Sequence, residues 1–258
     1  MKSLSSNKVK VMPVSDHLFE LKIRSFACFI TFILIFTISY FYSTQIYKIL
    51  LQPLINVMGN EVERKLIYTD LTEAFFTYMK LSFYSALIIS MPFFLLQIYM
   101  FIAPGLYKYE KKQLALLTVL TPILFYLGGL MVYFYIFPLA WKFFLSFETI
   151  GSGDVSIPIQ LEARISEYLS IVIQLIFAFG VAFQTPVIII LLAKFGFITV
   201  ETLKKKRRLA IVIIFAIAAV ITPPDIVSQI ALALPMIVLY EISIIITRWI
   251  IKEKEQHA

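Results

Sequence analysis

An all-α, polytopic membrane protein with six transmembrane helices and both termini in the cytoplasm is the fold class this sequence predicts. Three observations predict it. Hydrophobic residues fill 60% of the 258 positions and mean hydropathy is +0.88, far above the apolar share of an ordinary soluble domain. The apolar residues gather into six runs. The basic residues fall on alternate connections between those runs.

The runs cover approximately residues 23–43, 74–102, 113–140, 166–193, 209–222 and 226–249. About 20 helical residues at 1.5 Å each cross a hydrocarbon core of roughly 30 Å. The second, third and fourth runs exceed that and are expected to tilt or to project beyond the bilayer. The fifth covers only about 21 Å, so it thins the bilayer locally or relies on snorkelling of its flanking cations.

Orientation follows from the lysines and arginines. The N-terminal stretch through Arg24 has five, the connection at 108–112 has three, the stretch from Lys194 to Arg208 has six and the stretch from Arg248 onward has three. Lys48, Arg64, Lys65, Lys142 and Arg164 lie on the other side, with Lys80 inside a span. The positive-inside rule places both termini in the cytoplasm. The net charge of +7 is therefore topological and does not point to nucleic acid. The single cysteine, Cys28, excludes an intrachain disulfide. The first run has no small-residue cleavage site after it and is expected to remain as an anchor rather than to be removed as a signal peptide.

Of the outer connections, 44–73 reads as a long loop with Pro53 and a charged EVERK segment, and 141–165 as another, with Gly151, Gly153 and Pro158. The last is the turn Pro223-Pro224-Asp225, which makes the fifth and sixth runs a tight hairpin. No repeat divides the chain, and a single membrane domain over 1–258 is expected. Pro92, Pro122, Pro138, Pro186 and Pro235 lie inside runs. Each removes a helix hydrogen bond and bends its helix, which membrane proteins tolerate where other groups satisfy the freed carbonyl.

Two polar stretches carry the candidate chemistry. In Phe101–Lys112, FIAPGLYKYEKK, Ala103-Pro104-Gly105 stops the second helix and Glu110 follows among three lysines. In HLFELKIR, residues 17–24, helical spacing puts Glu20 on one face with His17 and Arg24. Taken alone, each is equally a solvated surface pair. Taken together, Glu20 and Glu110 form an acidic site on the cytoplasmic surface, where two carboxylates each hold a guanidinium in a bidentate fork that lysine does not reproduce.

These stretches, with the run from Phe76 through Tyr78 and Lys80, FGVAFQTP at 179–186 and ITPPDIVSQIALALP at 221–235, resemble the TatC family of twin-arginine protein translocase subunits over about residues 12–249. The phrases FFTYMKL and PLAWKFFLSFE are most similar to alphaproteobacterial and mitochondrial members. The resemblance implies a cup-shaped receptor that recognises the paired arginines of signal peptides on folded proteins and works with the proton gradient. It implies that Glu20 and Glu110 bind the arginines and that Phe101, Pro104, Leu106 and Tyr107 shape that surface. Pro53 and Asp225 match positions important for translocation, and Gln184, Thr222 and Gln229 positions where partner helices dock. The implied partners are small single-span subunits of the TatA and TatB type and further copies of this chain. A bacterial inner membrane is the expected location, with a mitochondrial inner membrane as the alternative.

Two residues depart from the family pattern. Lys22 stands where arginine is usual, and the charge is unchanged. Gln184 stands where many members carry an intramembrane glutamate, about 15 Å along a helix from Lys194. It can hydrogen-bond a partner helix or a carbonyl freed by Pro186, but it holds no charge. Neither HExxH nor G-x-S-x-G occurs and both histidines, His17 and His257, lie outside the runs, so neither an enzyme nor a cofactor or metal is expected. A small-solute secondary transporter is the rival reading, on the proline-broken helices and Gln97, Gln174, Gln184 and Lys80. No matching pair of broken helices recurs in two halves to support it.

Overall fold

The structure is a computed structural model that describes the backbone of residues 14–58, 66–105, 108–148, 161–194, 196–222 and 226–256. Within these, side chains are described except at 14, 108–110, 112, 113, 221, 227 and 250–256. Ten α-helices are present among the described residues: α1 (Val14–Phe41), α2 (Ser43–Met58), α3 (Glu73–Ile102), α4 (Lys108–Met131), α5 (Phe137–Leu145), α6 (Ile165–Ala182), α7 (Thr185–Lys194), α8 (Val200–Lys205), α9 (Arg207–Ile221) and α10 (Ile226–Gln256). The only β pairing among them is one isolated parallel bridge, Ile67 with Arg164.

Among the described residues, five stretches are long and apolar enough to cross a membrane: Ser15–Phe41, Glu73–Ile102, Leu114–Leu145, Ile165–Lys194 and Ser228–Trp249. The fifth predicted span, α9, has 15 residues and reaches about 22 Å, as short as its sequence run implied. Apolar side chains such as Phe29, Leu34, Leu130, Val220 and Val238 are exposed, which suits a lipid environment.

Several boundaries differ from expectation. The first helix starts at Val14 rather than residue 23, because the polar motif is itself helical and extends the span by more than two turns. The loop expected at 44–73 opens with the 16-residue helix α2, in which Pro53 is an interior residue. The third apolar stretch begins at Leu114, close to the expected 113, but its helix starts earlier, at Lys108, so the expected polar hinge is shortened and Glu110 falls in the first turn of α4. The last helix continues past 249 to Gln256.

The described chain divides into two compact units, the first of Met1–Thr44 with Tyr78–Ile123 and the second of Gln45–Thr77 with Leu124–Ala258. In the first, α1 and α3 run antiparallel: His17 meets Phe101, Arg24 meets Gln97 and Phe32 meets Phe83. In the second, α10 packs on α7 and α9 around Leu232, Ala233 and Ala218, all fully buried. Arg207 at the start of α9 binds Glu241 of α10 at 2.7 Å, and the Tyr240 hydroxyl donates to the Leu203 carbonyl.

α4 and α6 cross where both carry glycine. A Cβ on Gly128 would sit 2.7 Å from the Phe179 carbonyl oxygen, and one on Gly180 would sit 2.4 Å from the Phe125 ring. Only the bare backbone permits this approach, the small-residue contact common between membrane helices.

The prolines have unequal effects. Pro92, Pro122 and Pro235 lie within continuous α-helices. Pro138 follows a π turn, Val132–Ile136, and Pro186 follows a break between α6 and α7. At that break the amide of Gln184 bonds to Val181 instead of Gly180, tightening the turn, and the Gln184 side-chain amide donates to the Gly180 carbonyl at 3.3 Å. The Ala182 carbonyl, which the missing N–H of Pro186 would have served, accepts from the Thr185 hydroxyl at 2.6 Å. The carbonyl freed by Pro186 thus goes to Thr185, and the glutamine serves the carbonyl freed by the tightened turn.

Candidate signal-binding and translocation sites

The HLFELKIR motif lies on α1 as its spacing required. Arg24 Nε donates to Glu20 Oε1 at 3.0 Å and Nη2 reaches the same oxygen. The remaining terminal nitrogen, Nη1, donates to Gln97 Oε1 of α3 at 3.1 Å. One turn further along α3, the Phe101 ring stacks on the His17 imidazole with centroids 4.2 Å apart and planes 10° from parallel. The two helices therefore meet through a polar contact beside an aromatic one.

The Arg24–Glu20 pair is only partly open to solvent, with about a fifth of each side chain exposed. Screening is weaker there than at an open surface, so charge-assisted bonds at this position count for more. Phe101 ends the last turn of α3, and Pro104 sits in the 3-10 turn Ala103–Gly105 that follows, both half-buried. The proline stops α3 as expected. Leu106, Tyr107 and Asp225 lie outside the described residues, as does the side chain of Glu110; its backbone is in α4.

Pro53 is buried in α2. A proline there leaves the carbonyl four residues back without its amide partner and disturbs the next one. Those carbonyls belong to Ile49 and Leu50. The Tyr133 hydroxyl donates to Ile49 O at 2.9 Å and the Tyr168 hydroxyl to Leu50 O at 2.7 Å. Tyr168 is 4% exposed and packs on Trp141, which stacks on Phe137. Proline in α2 and two tyrosines from distant parts of the chain thus form one joint.

The same end of this unit is stitched elsewhere. The Ile67 amide donates to Ala163 O, and the Ile165 amide to Ile67 O. Glu73 at the start of α3 accepts from the Thr69 amide with one carboxylate oxygen and from the Ser166 amide and hydroxyl with the other. A free helix N-terminus carries unpaired amides and partial positive charge, and the carboxylate answers both. An apolar cavity of about 350 Å³, lined by Leu51, Leu54, Ile55, Leu66 and Leu161 among others, lies between α2 and this stitch.

Thr222 is buried at the end of α9, its hydroxyl donating to Ala218 O at 2.9 Å. Gln229 on α10 donates its side-chain amide to Phe215 O of α9 at 3.3 Å. Both engage the α9–α10 hairpin, and Gln229 keeps part of its surface open.

Gln97, Tyr133, Tyr168 and Glu73 carry contacts that the sequence did not assign to the site. For Gln97 the signal was present, since it precedes Phe101 by one helical turn. The tyrosines give no local signal, because their acceptors lie 84 and 118 positions away.

The family model for the Sec-independent protein translocase protein TatC matches residues 16–235. A Sec-independent protein translocase protein TatC of Rickettsia prowazekii is 52% identical over 242 residues, covering 94% of this chain and 95% of the relative. An uncharacterized tatC-like protein of Reclinomonas americana is 39% identical over 233 residues, covering 90% and 86%. The crystal structure of a twin-arginine translocase receptor, TatC, superposes with a TM-score of 0.70 at 35% identity, covering 90% of this chain and 98% of that one. With the helical order, the α1–α3 motif contact and the Pro53 joint, these matches make the chain a multi-pass membrane protein of the TatC family of Sec-independent protein translocases.

Proposed function

We propose that this protein is the signal-peptide receptor and core subunit of a twin-arginine translocase in a bacterial inner membrane. Glu20 and Glu110 hold the two arginines of the signal, and Phe101, Pro104, Leu106 and Tyr107 shape the surface around them. The observation that supports this most is that Glu20 already holds a guanidinium, that of Arg24, beside the His17–Phe101 stack. A carboxylate in that setting suits the planar fork of arginine better than the point charge of lysine.

The cargo is folded protein bearing such a signal, and the proton gradient supplies the energy. Small single-span partners of the TatA and TatB type dock near Gln184, Thr222 and Gln229, and further copies of this chain assemble with them. Pro53 and Asp225 serve translocation on the outer side. The chain transports and does not catalyse a covalent reaction, and it needs no cofactor.

The test is binding of a twin-arginine signal peptide and of its Lys-Lys counterpart to the detergent-solubilised protein. Wild type is expected to prefer Arg-Arg, and Glu20→Gln and Glu110→Gln each to lose about tenfold or more, the value of one charge-assisted bond. Equal binding of both peptides would remove the receptor reading. Gln184→Leu is expected to reduce export in cells by removing the polar group available to a partner helix; unchanged export would sink that contact.

A further inference from the structure

We propose that Arg24 is an internal competitor for the Glu20 carboxylate, with Gln97 as the group that receives it when an incoming arginine takes its place. This rests on the reading of Glu20 as a guanidinium-binding residue and adds how its affinity is set.

Two of Arg24's nitrogens end on one oxygen, Glu20 Oε1. A bidentate fork from a ligand needs both carboxylate oxygens. The ligand must therefore take Oε1 from Arg24. Nη1 of Arg24 is already bound to Gln97 at 3.1 Å, so a displaced Arg24 keeps an acceptor on α3. That matters because the pair is mostly buried from solvent, where a cation with no partner is costly. Gln97 is neutral, so it holds the guanidinium without matching the attraction of a carboxylate. Arg24 can yield, and it can return.

This arrangement gives the site two properties. The carboxylate is never left bare when no ligand is present, so the site stays formed. The ligand's net affinity is reduced by what Arg24 gives up, which keeps binding reversible for a signal that must move on during transport.

Two neighbouring substitutions then have opposite signs. Arg24→Gln removes the competitor, and binding of the twin-arginine peptide is expected to tighten by about tenfold, with slower dissociation. Gln97→Leu removes the receiving acceptor and is expected to weaken binding several-fold. In the double variant the Gln97→Leu effect should vanish, because no Arg24 remains to be received. Arg24→Lys keeps a cation without the fork and should fall between wild type and Arg24→Gln, which keeps the test usable if the glutamine variant does not fold.

The measurement is peptide titration of the full-length protein in detergent, with each variant checked by gel filtration. Weakened or unchanged binding in Arg24→Gln, or a Gln97→Leu effect that persists in the double variant, would overturn the competitor and make Arg24 scaffolding. Loss of Arg-Arg preference in wild type, or indifference to Glu20→Gln, would instead overturn the Glu20 reading itself.

Discussion

The α1–α3 contact and the Pro53 joint are both polar meetings of helices, yet they are built from different groups. At the first, a carboxylate, a guanidinium and a side-chain amide exchange bonds, and each can be re-partnered by a rotamer change or by a ligand. At the second, tyrosine hydroxyls bond to two backbone carbonyls beside a proline, one of which, that of Ile49, the proline leaves without its amide. Backbone carbonyls inside a helix are fixed in place, and Tyr168 is buried. A surface meant to receive something is made of exchangeable side chains, while a part meant to stay in place is fastened through the backbone.

The contrast predicts how stability responds to substitution. Tyr168→Ala should cost the most, about 3–5 kcal/mol, since it removes a buried ring from the Trp141 cluster as well as the hydroxyl. A thermal midpoint in detergent that fell by only a degree or two would show that the ring is not packed as described. Tyr168→Phe keeps the ring and removes a buried hydrogen bond to the Leu50 carbonyl, so about 1–2 kcal/mol is expected by the same measurement. Glu73→Gln should lower the midpoint by less than Tyr168→Phe, because the amide oxygen still accepts from Ser166 or from Thr69 and the other donor, at a site open to water, is served by solvent; the loss should be read together with faster amide exchange at the start of α6. Arg24→Gln should be the mildest, about 1 kcal/mol, because about a fifth of each side chain is exposed and water can partly replace the guanidinium. A loss at Arg24 as large as that at Tyr168→Phe would erase the distinction between the two regions.

Much of the fold was legible because lipid imposes a length and a composition on anything that crosses it. The short α9 showed for that reason, and so did the shared face of His17, Glu20 and Arg24, which needs only 3.6-residue periodicity. What stayed hidden depends on distance along the chain or on competition between neighbours. α2 reads as a loop because its proline argues against a helix, and the argument fails once Tyr133 is seen to satisfy the freed Ile49 carbonyl. The break between α6 and α7 shows in the sequence only as an expected bend at Pro186. Which side chain would repair it, Gln184 or the adjacent Thr185, depends on which amide shifts to a tighter turn. The motif residues announced the site, but Gln97, equally polar and one turn away, became part of it only when α3 was laid against α1.

The π turn at Val132–Ile136 has a consequence for how this helix should be aligned and altered. Closing a hydrogen bond over five residues instead of four accommodates one surplus residue, and one residue corresponds to about 100° of rotation. Everything after the turn, Phe137 and Trp141 included, is therefore out of phase with α4 before it. A single-residue deletion within 132–136 would remove the surplus residue and keep the indole turned toward Tyr168, whereas the same deletion in the regular part of α4 would rotate everything after it by about 100°. The same one-residue cut is thus absorbed at the π turn and disruptive a few residues before it.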